Sequence, residues 1–362
     1  PDGRYKFSDC LDGDGKTDQS YAVSLTMEKS GEDISLDFTE STNQATGAIN
    51  FKMDKSVPAN MLGLLLTGED TSVQMNAGFE RALKSVKLRA GSIVDPVYPA
   101  AVGMRSHTMV RVTGSLLGVL GRASDGQVSA ASPVYVLYYL RSHDRLRGSY
   151  ELCIEGLGVG FGARTFADGI DAVYFVAQKN YPVEFAEMEF GVRIEAYRIH
   201  KDSGGPGAYR GGAGIIRDVR VLWDEAVLGL RLDNVKHPAW GIKGGHAGRP
   251  GRVIVNPGAE DKRQLRPMSD QNQLSKGDLI RIMTGGGGGW GHPFDRPEAS
   301  VRLDVLDGFI SSESALTDYG VSLTQDLDID VEATRTIRAG ACCDGDMFNH
   351  GKGITSKEGL AS

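Results

Sequence analysis

The stretch Gly156-Leu157-Gly158-Val159-Gly160-Phe161-Gly162 places a glycine at every second position, directly after the β-rich run Tyr150-Glu151-Leu152-Cys153-Ile154. Side chains of an extended strand alternate between its faces, so this spacing strips one face bare. A bare face admits close packing of another backbone, or close approach of a ligand. It is not a dinucleotide fingerprint. The spacing is not G-x-G-x-x-G, and Ala163-Arg164-Thr165-Phe166-Ala167-Asp168-Gly169, which follows, is not an amphipathic helix.

Outward from this stretch, residues 134–140 and 150–154 read as strands. Residues 183–200 alternate in the manner of a strand, 215–223 and 227–232 read as a strand pair, and 253–256 and 279–284 as short strands. Toward the N-terminus, Tyr21, Val23 and Leu25 share one face of a strand and Ile34, Leu36 and Phe38 share one face of the next, predicting a hairpin over 20–40. A buried helix is expected over 58–67, a strand over 84–88, an exit turn over 91–96 and a packed helix from Ser106 to about 120. Helical text returns at 297–307 and 311–319. The pattern predicts an α+β fold: strand-rich mixed sheets with a few packed helices and glycine-rich loops. Its expected divisions are an α+β segment over 1–130 that continues a missing N-terminal part, a strand-rich domain with glycine loops over 131–296, a helical closing segment over 297–325 and a loosely ordered tail over 326–362.

The composition narrows the function. Among 362 residues, 40 Lys and Arg stand against 47 Asp and Glu, a net charge of −7. No apolar run approaches the ~18 residues of a membrane-spanning helix, and no basic cluster points to nucleic acid. Glycine, at 48 residues, is nearly twice as frequent as the ~7% average. Cys10, Cys153, Cys342 and Cys343 show no zinc-ligand spacing and read as reduced thiols of a cytoplasmic protein. The opening Pro1-Asp2-Gly3-Arg4 has neither an initiator Met nor the apolar core of a signal peptide, and reads as entry partway through a protein.

Three motifs bear on chemistry. Asp12-Gly13-Asp14-Gly15-Lys16-Thr17-Asp18 fails the calcium-loop pattern at Lys16, Thr17 and Val23 and reads as a polar turn. The glycine run 285–289, followed by Trp290-Gly291-His292-Pro293, lacks the Lys-Ser/Thr of a phosphate loop. Consecutive glycines can instead offer backbone N–H groups to an anion, or make a structural turn under another segment. No two of the seven histidines share a metal-ligand spacing. His107 stands at the start of the expected helix, where an imidazole can exchange protons near neutral pH. Arg105, His107 and the amides of Gly286, Gly287 and Gly288 are expected to converge on one pocket, with Arg105 holding an anionic group and His107 exchanging a proton; separate structural loops are the alternative reading.

Several blocks, in order, resemble the hydantoinase B/oxoprolinase family. They are Pro1-Asp2-Gly3-Arg4-Tyr5-Lys6-Phe7 with Leu11-Asp12-Gly13-Asp14-Gly15, then Leu36-Asp37-Phe38-Thr39, Gly47-Ala48-Ile49-Asn50 and Met75-Asn76-Ala77-Gly78. After these come Asp202-Ser203-Gly204-Gly205-Pro206-Gly207-Ala208-Tyr209-Arg210-Gly211-Gly212-Ala213-Gly214, then Trp240-Gly241-Ile242-Lys243-Gly244-Gly245, the glycine run with Trp290, and Asp304-Val305-Leu306-Asp307-Gly308-Phe309-Ile310-Ser311. The match is to the C-terminal part of the family. It implies a subunit or part of an ATP-dependent amidohydrolase that opens a cyclic amide. A hydantoinase A-type ATPase partner would supply ATP and activate the carbonyl. The divalent metal would sit on a preceding N-terminal segment or chain, with none on this one. Asn76 is the substrate-binding residue the resemblance adds. The alternatives are a subunit of an ATP-dependent ketone carboxylase and a non-catalytic scaffold. Two blocks depart from the family pattern: Met104-Arg105-Ser106-His107-Thr108 and Ser129-Ala130-Ala131-Ser132-Pro133.

Overall fold

The computed structural model describes residues 1–67, 72, 74, 76–144, 148–174, 178–339 and 346–353. The chain divides into two compact units, Pro1–Val128 and Ser129–Ser362. Among the described residues, no helix is long and apolar enough to cross a membrane.

The first unit is a four-stranded sheet backed by a helix. β1 (Gly3–Leu11), β2 (Tyr21–Ser30) and β3 (Asp33–Asp37) form an antiparallel meander. The chain then passes through α1 (Ser56–Thr67) and α2 (Gly78–Ala82) before β4 (Leu83–Lys87) joins β3 in parallel. The expected hairpin is present, with Tyr21, Val23, Leu25, Leu36 and Phe38 buried. α3 (Arg105–Ala123) lies across β1 and β2. Two glycines one turn apart give it the room: a Cβ at Gly114 would stand 2.0 Å from Asp9 Oδ2, and one at Gly118 would stand 2.2 Å from the Phe7 ring. The expected buried helix over 58–67 buries only a stripe, Pro58, Ala59, Leu62 and Gly63, and leaves Leu64 and Leu66 exposed.

The second unit is a β-sandwich. β5 (Val136–Asp144) and β6 (Ser149–Leu157) form a hairpin, followed by α4 (Val183–Glu189), β7 (Val192–Ile199), β8 (Ile215–Val221) and β9 (Glu225–Arg231). Then come β10 (Gly241–Ile242), β11 (Arg252–Val255), β12 (Arg263–Leu265), β13 (Met268–Ser275) and β14 (Leu279–Met283). The sheets run β13-β9-β5-β6 and β12-β11-β14-β8-β7. Val136, Tyr138, Leu140, Leu228 and Leu230 of one meet Val219, Val221, Val253, Ile280 and Ile282 of the other in a shared core.

Two expectations are corrected here. β8 and β9 do not pair with each other: β8 pairs with β7 and β14, whereas β9 pairs with β5 and β13. A short link carries the chain from one sheet to the other, and each strand buries its apolar side in the common core. Residues 183–189 form a helix rather than a strand. Their alternation of acidic and apolar residues imitates period two, but Glu, Ala and Met are strong helix formers, and Pro182 sits at the cap.

α5 (Glu298–Leu306), α6 (Ser312–Thr317) and α7 (Val331–Ala339) close the unit around Val301, Ile310, Ala315, Tyr319 and Val321. α7 lies within the stretch read as a loosely ordered tail, and β15 (Phe348–Asn349) pairs with β10. Cys342 and Cys343 lie outside the described residues.

Between the strand ends runs a hub of glycine backbones. The amides of Gly286, Gly287, Gly288 and Gly289 donate to the carbonyls of Arg249, Gly212, Ala131 and His246, at 3.2, 3.0, 2.9 and 2.8 Å. In return, Gly160, Gly205, Ala163 and Ile242 donate to the carbonyls of Gly285, Gly287, Gly288 and Gly289. The approach is too close for side chains. A Cβ at Gly287 would lie 2.1 Å from the Phe161 oxygen, one at Gly160 1.7 Å from that of Gly212, and one at Gly288 2.0 Å from that of Trp240. The bare face thus receives main chain at Gly158, Gly160 and Gly162, and the Tyr174 ring at Gly156.

Gly287→Ala is expected to cost about 4 kcal/mol or more, or to abolish soluble folding, because rigid main chain blocks the methyl group. Gly103→Ala, whose Cβ would meet only the Ala48 methyl at 3.8 Å, is expected to stay within about 0.5 kcal/mol of the parent. Urea denaturation of both variants tests the contrast.

Candidate functional site

The residues expected to share one pocket fall in both compact units, Asn76, Arg105 and His107 in the first and Gly286, Gly287 and Gly288 in the second. His107 is fully buried in the first turn of α3, whereas Arg105 is exposed. Two positions apart on a helix, their side chains leave the axis ~200° apart. Asn76 is exposed at the entry to α2, where its side-chain oxygen accepts from the Gly78 amide at 2.7 Å. Its neighbour Met75 lies outside the described residues. Gly286, Gly287 and Gly288 belong to the other unit, and their N–H groups are bonded to main-chain carbonyls. The expected oxyanion nest is therefore corrected: in this arrangement the run is a structural hub.

The Asp12–Asp18 stretch is a polar turn centred on one carboxylate. Asp14 accepts from the amides of Lys16, Thr17 and Gly47 at 2.9, 2.7 and 2.9 Å, and from the hydroxyls of Thr46 and Tyr21 at 3.0 and 3.1 Å. Burial opposes its charge, yet these donors outweigh burial and hold the carboxyl well below its usual range. Asn50, fully buried, fastens the same region through Ala45, Gly47 and the carbonyl of Ala101.

Charge is concentrated at two places in the second unit. Between the sheets, Glu155 lies 3.0 Å from Arg217 Nη2 and accepts from the Tyr138 hydroxyl at 2.8 Å and from Asn180 at 3.0 Å. The Arg217 guanidinium also lies over the Tyr197 ring at 5.0 Å. Burial, reinforced by the charge of Glu155, pushes the neighbouring Cys153 thiol up to about 12. A thiol held there is not a nucleophile at neutral pH.

The second place fastens the closing helices to the hub. Arg296 donates to both oxygens of Asp168, at 2.7 and 2.8 Å, and through Nε to Asp304 at 2.9 Å. Arg210 donates to Asp171 at 3.0 Å and lies over the Phe309 ring at 4.4 Å. Arg338 adds donations to the carbonyls of Tyr319 and Arg296. The two carboxyls of Arg296 respond in opposite directions. Burial works to raise both, but the hydrogen bond and charge of Arg296 leave Asp168 below its usual range, while Asp304 stays above it.

No local spacing marks these networks, although Arg210 and Asp304 fall within two of the blocks that carry the resemblance. Glu155 and Arg217, each within an apolar strand, carry the one visible signal. Among the described residues, no group of three or more His, Cys, Asp and Glu is placed to hold a metal ion.

A β-sandwich tied to a glycine-backbone hub defines a rigid scaffold more clearly than it defines a catalytic centre. The chain belongs to the hydantoinase B/oxoprolinase family, whose model matches residues 1–293. It is 29% identical over 354 residues to the B component of a putative D-/L-hydantoinase from Pseudomonas sp. (strain NS671), covering 93% of this chain and 59% of that protein. To the beta component of caprolactamase from Pseudomonas jessenii it is 26% identical over 355 residues, covering 94% and 60%. The crystal structure of the ATP-dependent caprolactamase from Pseudomonas jessenii shares the fold at a TM-score of 0.80, with 23% identity over 94% of this chain and 60% of that one. The nucleotide-free structure of acetone carboxylase shares it at 0.76, with 20% identity over 94% and 52%. The chain thus spans less than two thirds of the length of these relatives.

Arg296→Ala is expected to destabilise the second unit by about 3–5 kcal/mol, because it leaves two carboxylates without their shared cation. Chemical denaturation at pH 7 measures the loss. Asp14→Asn is expected to cost about 1.5–3 kcal/mol at pH 7, the worth of hydrogen bonds to a charged group. A depressed carboxyl stabilises above its unfolded value of 3.8 and loses that contribution as pH falls through the folded value. The gap between parent and variant should therefore narrow below pH 4. A constant gap from pH 7 to pH 3 would contradict the assignment.

Proposed function

We propose that this chain forms part of the B-type subunit of an ATP-dependent hydrolase that opens a cyclic amide. The carrying observation is the family match over 1–293. The relatives' names support the substrate class: hydantoin, caprolactam and 5-oxoproline are all rings closed by an amide. The chemistry explains the use of ATP. An amide carbonyl is a poor electrophile, and converting its oxygen to a phosphate ester makes the carbon open to attack. In this reading ATP acts on an A-type partner subunit, and any divalent metal is held outside the described residues of this chain. The part given to this chain is to present a rigid scaffold at which the activated ring is opened.

The test is reconstitution of the full chain, within its complete B-type subunit, with the A-type subunit. ATP-dependent ring opening is expected across a panel of hydantoin, lactams and 5-oxoproline, with ATPase activity absent when the chain is assayed alone. Bicarbonate-dependent consumption of a ketone in place of ring opening would move the assembly to the carboxylase branch. Robust ATP hydrolysis by the isolated chain would overturn the division of labour.

A further inference from the structure

Among the described residues, the second unit buries the guanidiniums of Arg210, Arg217 and Arg296, and they are not equally served. Arg296 faces two carboxylates, Asp168 and Asp304. Arg210 faces Asp171 at 3.0 Å and Asp304 at 3.6 Å. Arg217, 0% exposed, faces Glu155, whose Oε2 lies 3.0 Å from Nη2. That contact lies off the line of an N–H bond, and none of Nε, Nη1 and Nη2 makes a hydrogen bond. Buried donors are otherwise nearly always paired, so an unpaired set calls for an explanation. Glu155 is well supplied by comparison. It accepts from the Tyr138 hydroxyl, Asn180 Nδ2 and the Tyr181 amide at 2.8, 3.0 and 3.2 Å. Its charge is spread over these neutral donors as well as Arg217, which leaves the cation the less compensated member of a buried pair.

The other acidic side chains of the surrounding strands are engaged elsewhere. Glu151 of β6 accepts from the Trp223 indole at 2.8 Å, Glu195 of β7 holds Arg220, and Asp218 of β8 holds Arg281. Yet Arg217 lies one side chain away from solvent. β6 and β7 are terminal strands of their sheets, and the pairing of β7 with β8 shifts register between Ile194 and Ala196. Tyr197 stands opposite Arg217 in that pairing, covers the guanidinium with its ring at 5.0 Å, and is itself 46% exposed. Its hydroxyl donates to Asn180 Oδ1 at 2.8 Å. Rotamer changes of exposed side chains are fast.

We propose that Arg217 binds the carboxylate of a small organic acid, admitted when the Tyr197 ring turns outward. The carboxylate accepts from the N–H groups of Arg217 that have no acceptor in the chain, and Tyr197 closes over it. The ligand class follows from the other two arginines: in this unit a buried guanidinium is served by two carboxylates, and the chain places one beside Arg217. A planar carboxylate also matches the guanidinium fork in shape and charge. With it, Arg217 gains the complement of charge that Arg296 draws from Asp168 and Asp304. The opening is the width of one aromatic side chain, which limits the ligand to a short acid. This site stands apart from the ring-opening reading and does not depend on it.

The experiment uses the full chain with acetate as the probe and chloride at equal ionic strength as the reference. NMR of nitrogen-labelled arginine follows the Nε–H resonance of Arg217, urea denaturation follows the linked stability, and a crystal structure is solved from acetate. A saturable shift of that resonance is expected, with millimolar affinity because acetate contributes few atoms. The urea midpoint should rise with acetate, as it does for any ligand of the folded state. The charge-neutral double substitution Arg217→Met, Glu155→Gln removes the cation without stranding its carboxylate. It is expected to weaken acetate binding at least ~10-fold, the contribution of a hydrogen bond to a charged group. The control Arg335→Gln on α7, where the side chain is 68% exposed, should leave binding unchanged. If the double variant does not fold, the parent resonance and the crystal decide. An Arg217 resonance indifferent to acetate overturns the proposal, as does acetate binding by a folded double variant at the parent's affinity. An equal response to chloride overturns the carboxylate assignment. Ordered water alone on the Arg217 nitrogens in acetate, or acetate bound at crystal concentration only, overturns the site.

Discussion

The second unit depends on main chain lying against main chain at a distance no side chain permits. Gly285 to Gly289 form a rod with hydrogen-bonding groups but no side chains, and the segments carrying Ala131, Gly160, Gly212 and His246 attach to it directly. An ordinary core holds layers about 10 Å apart with interdigitating side chains. Here that layer is missing, and hydrogen bonds replace apolar burial as the direct cohesive contact. The apolar core begins only where the strands leave the hub, at residues such as Val159, Ile215 and Ile282. The sandwich and the hub are therefore two cohesive systems sharing the same strands.

Charge takes over where the hub ends. Arg296 joins Asp168, next to the glycine segment 156–162, to Asp304 on α5, and Arg210 reaches Asp171 from within the glycine segment 203–214. Guanidiniums suit this position because each offers several donors in a fixed fork. A buried ion pair is weak evidence of net stability, but removing one partner is costly. These networks accordingly fix where the closing helices sit more than they strengthen the fold.

Local elements are legible in the sequence where periodicity is strong and unambiguous. The hairpin over 20–40 and the long helix beginning near Ser106 can be read from apolar spacing alone. The partnership of β8 and β9 misleads because adjacency in the chain suggests pairing, and no local signal distinguishes a hairpin from a crossing between sheets. α4 misleads because Glu and apolar residues alternate in it. The glycine run stands out as unusual, but its spacing alone suggests amides free for a ligand. Only the positions of three remote segments, those carrying Ala131, Gly212 and His246 to Arg249, reveal that those amides are already bonded. His107 sits where a helix-start histidine can do chemistry, yet its burial depends on how the sheet lies under α3, which spacing does not encode. The block order that resembles the hydantoinase B/oxoprolinase family is the most far-reaching signal, because it reads many weak constraints together.

The hub also imposes an order on synthesis. Its segments are spread from Ala131 to Gly289, and the rod that joins them is the last to be made. At ribosomal rates of about 5–20 residues per second, roughly 8–30 s separate emergence of the first hub segment from that of the last. Through that interval the glycine-bearing strand ends have no rod to bond to, and their backbone groups are satisfied by water. The nascent second unit is thus held open by its own gene order, and its strands are most in need of protection from wrong partners just before the rod arrives.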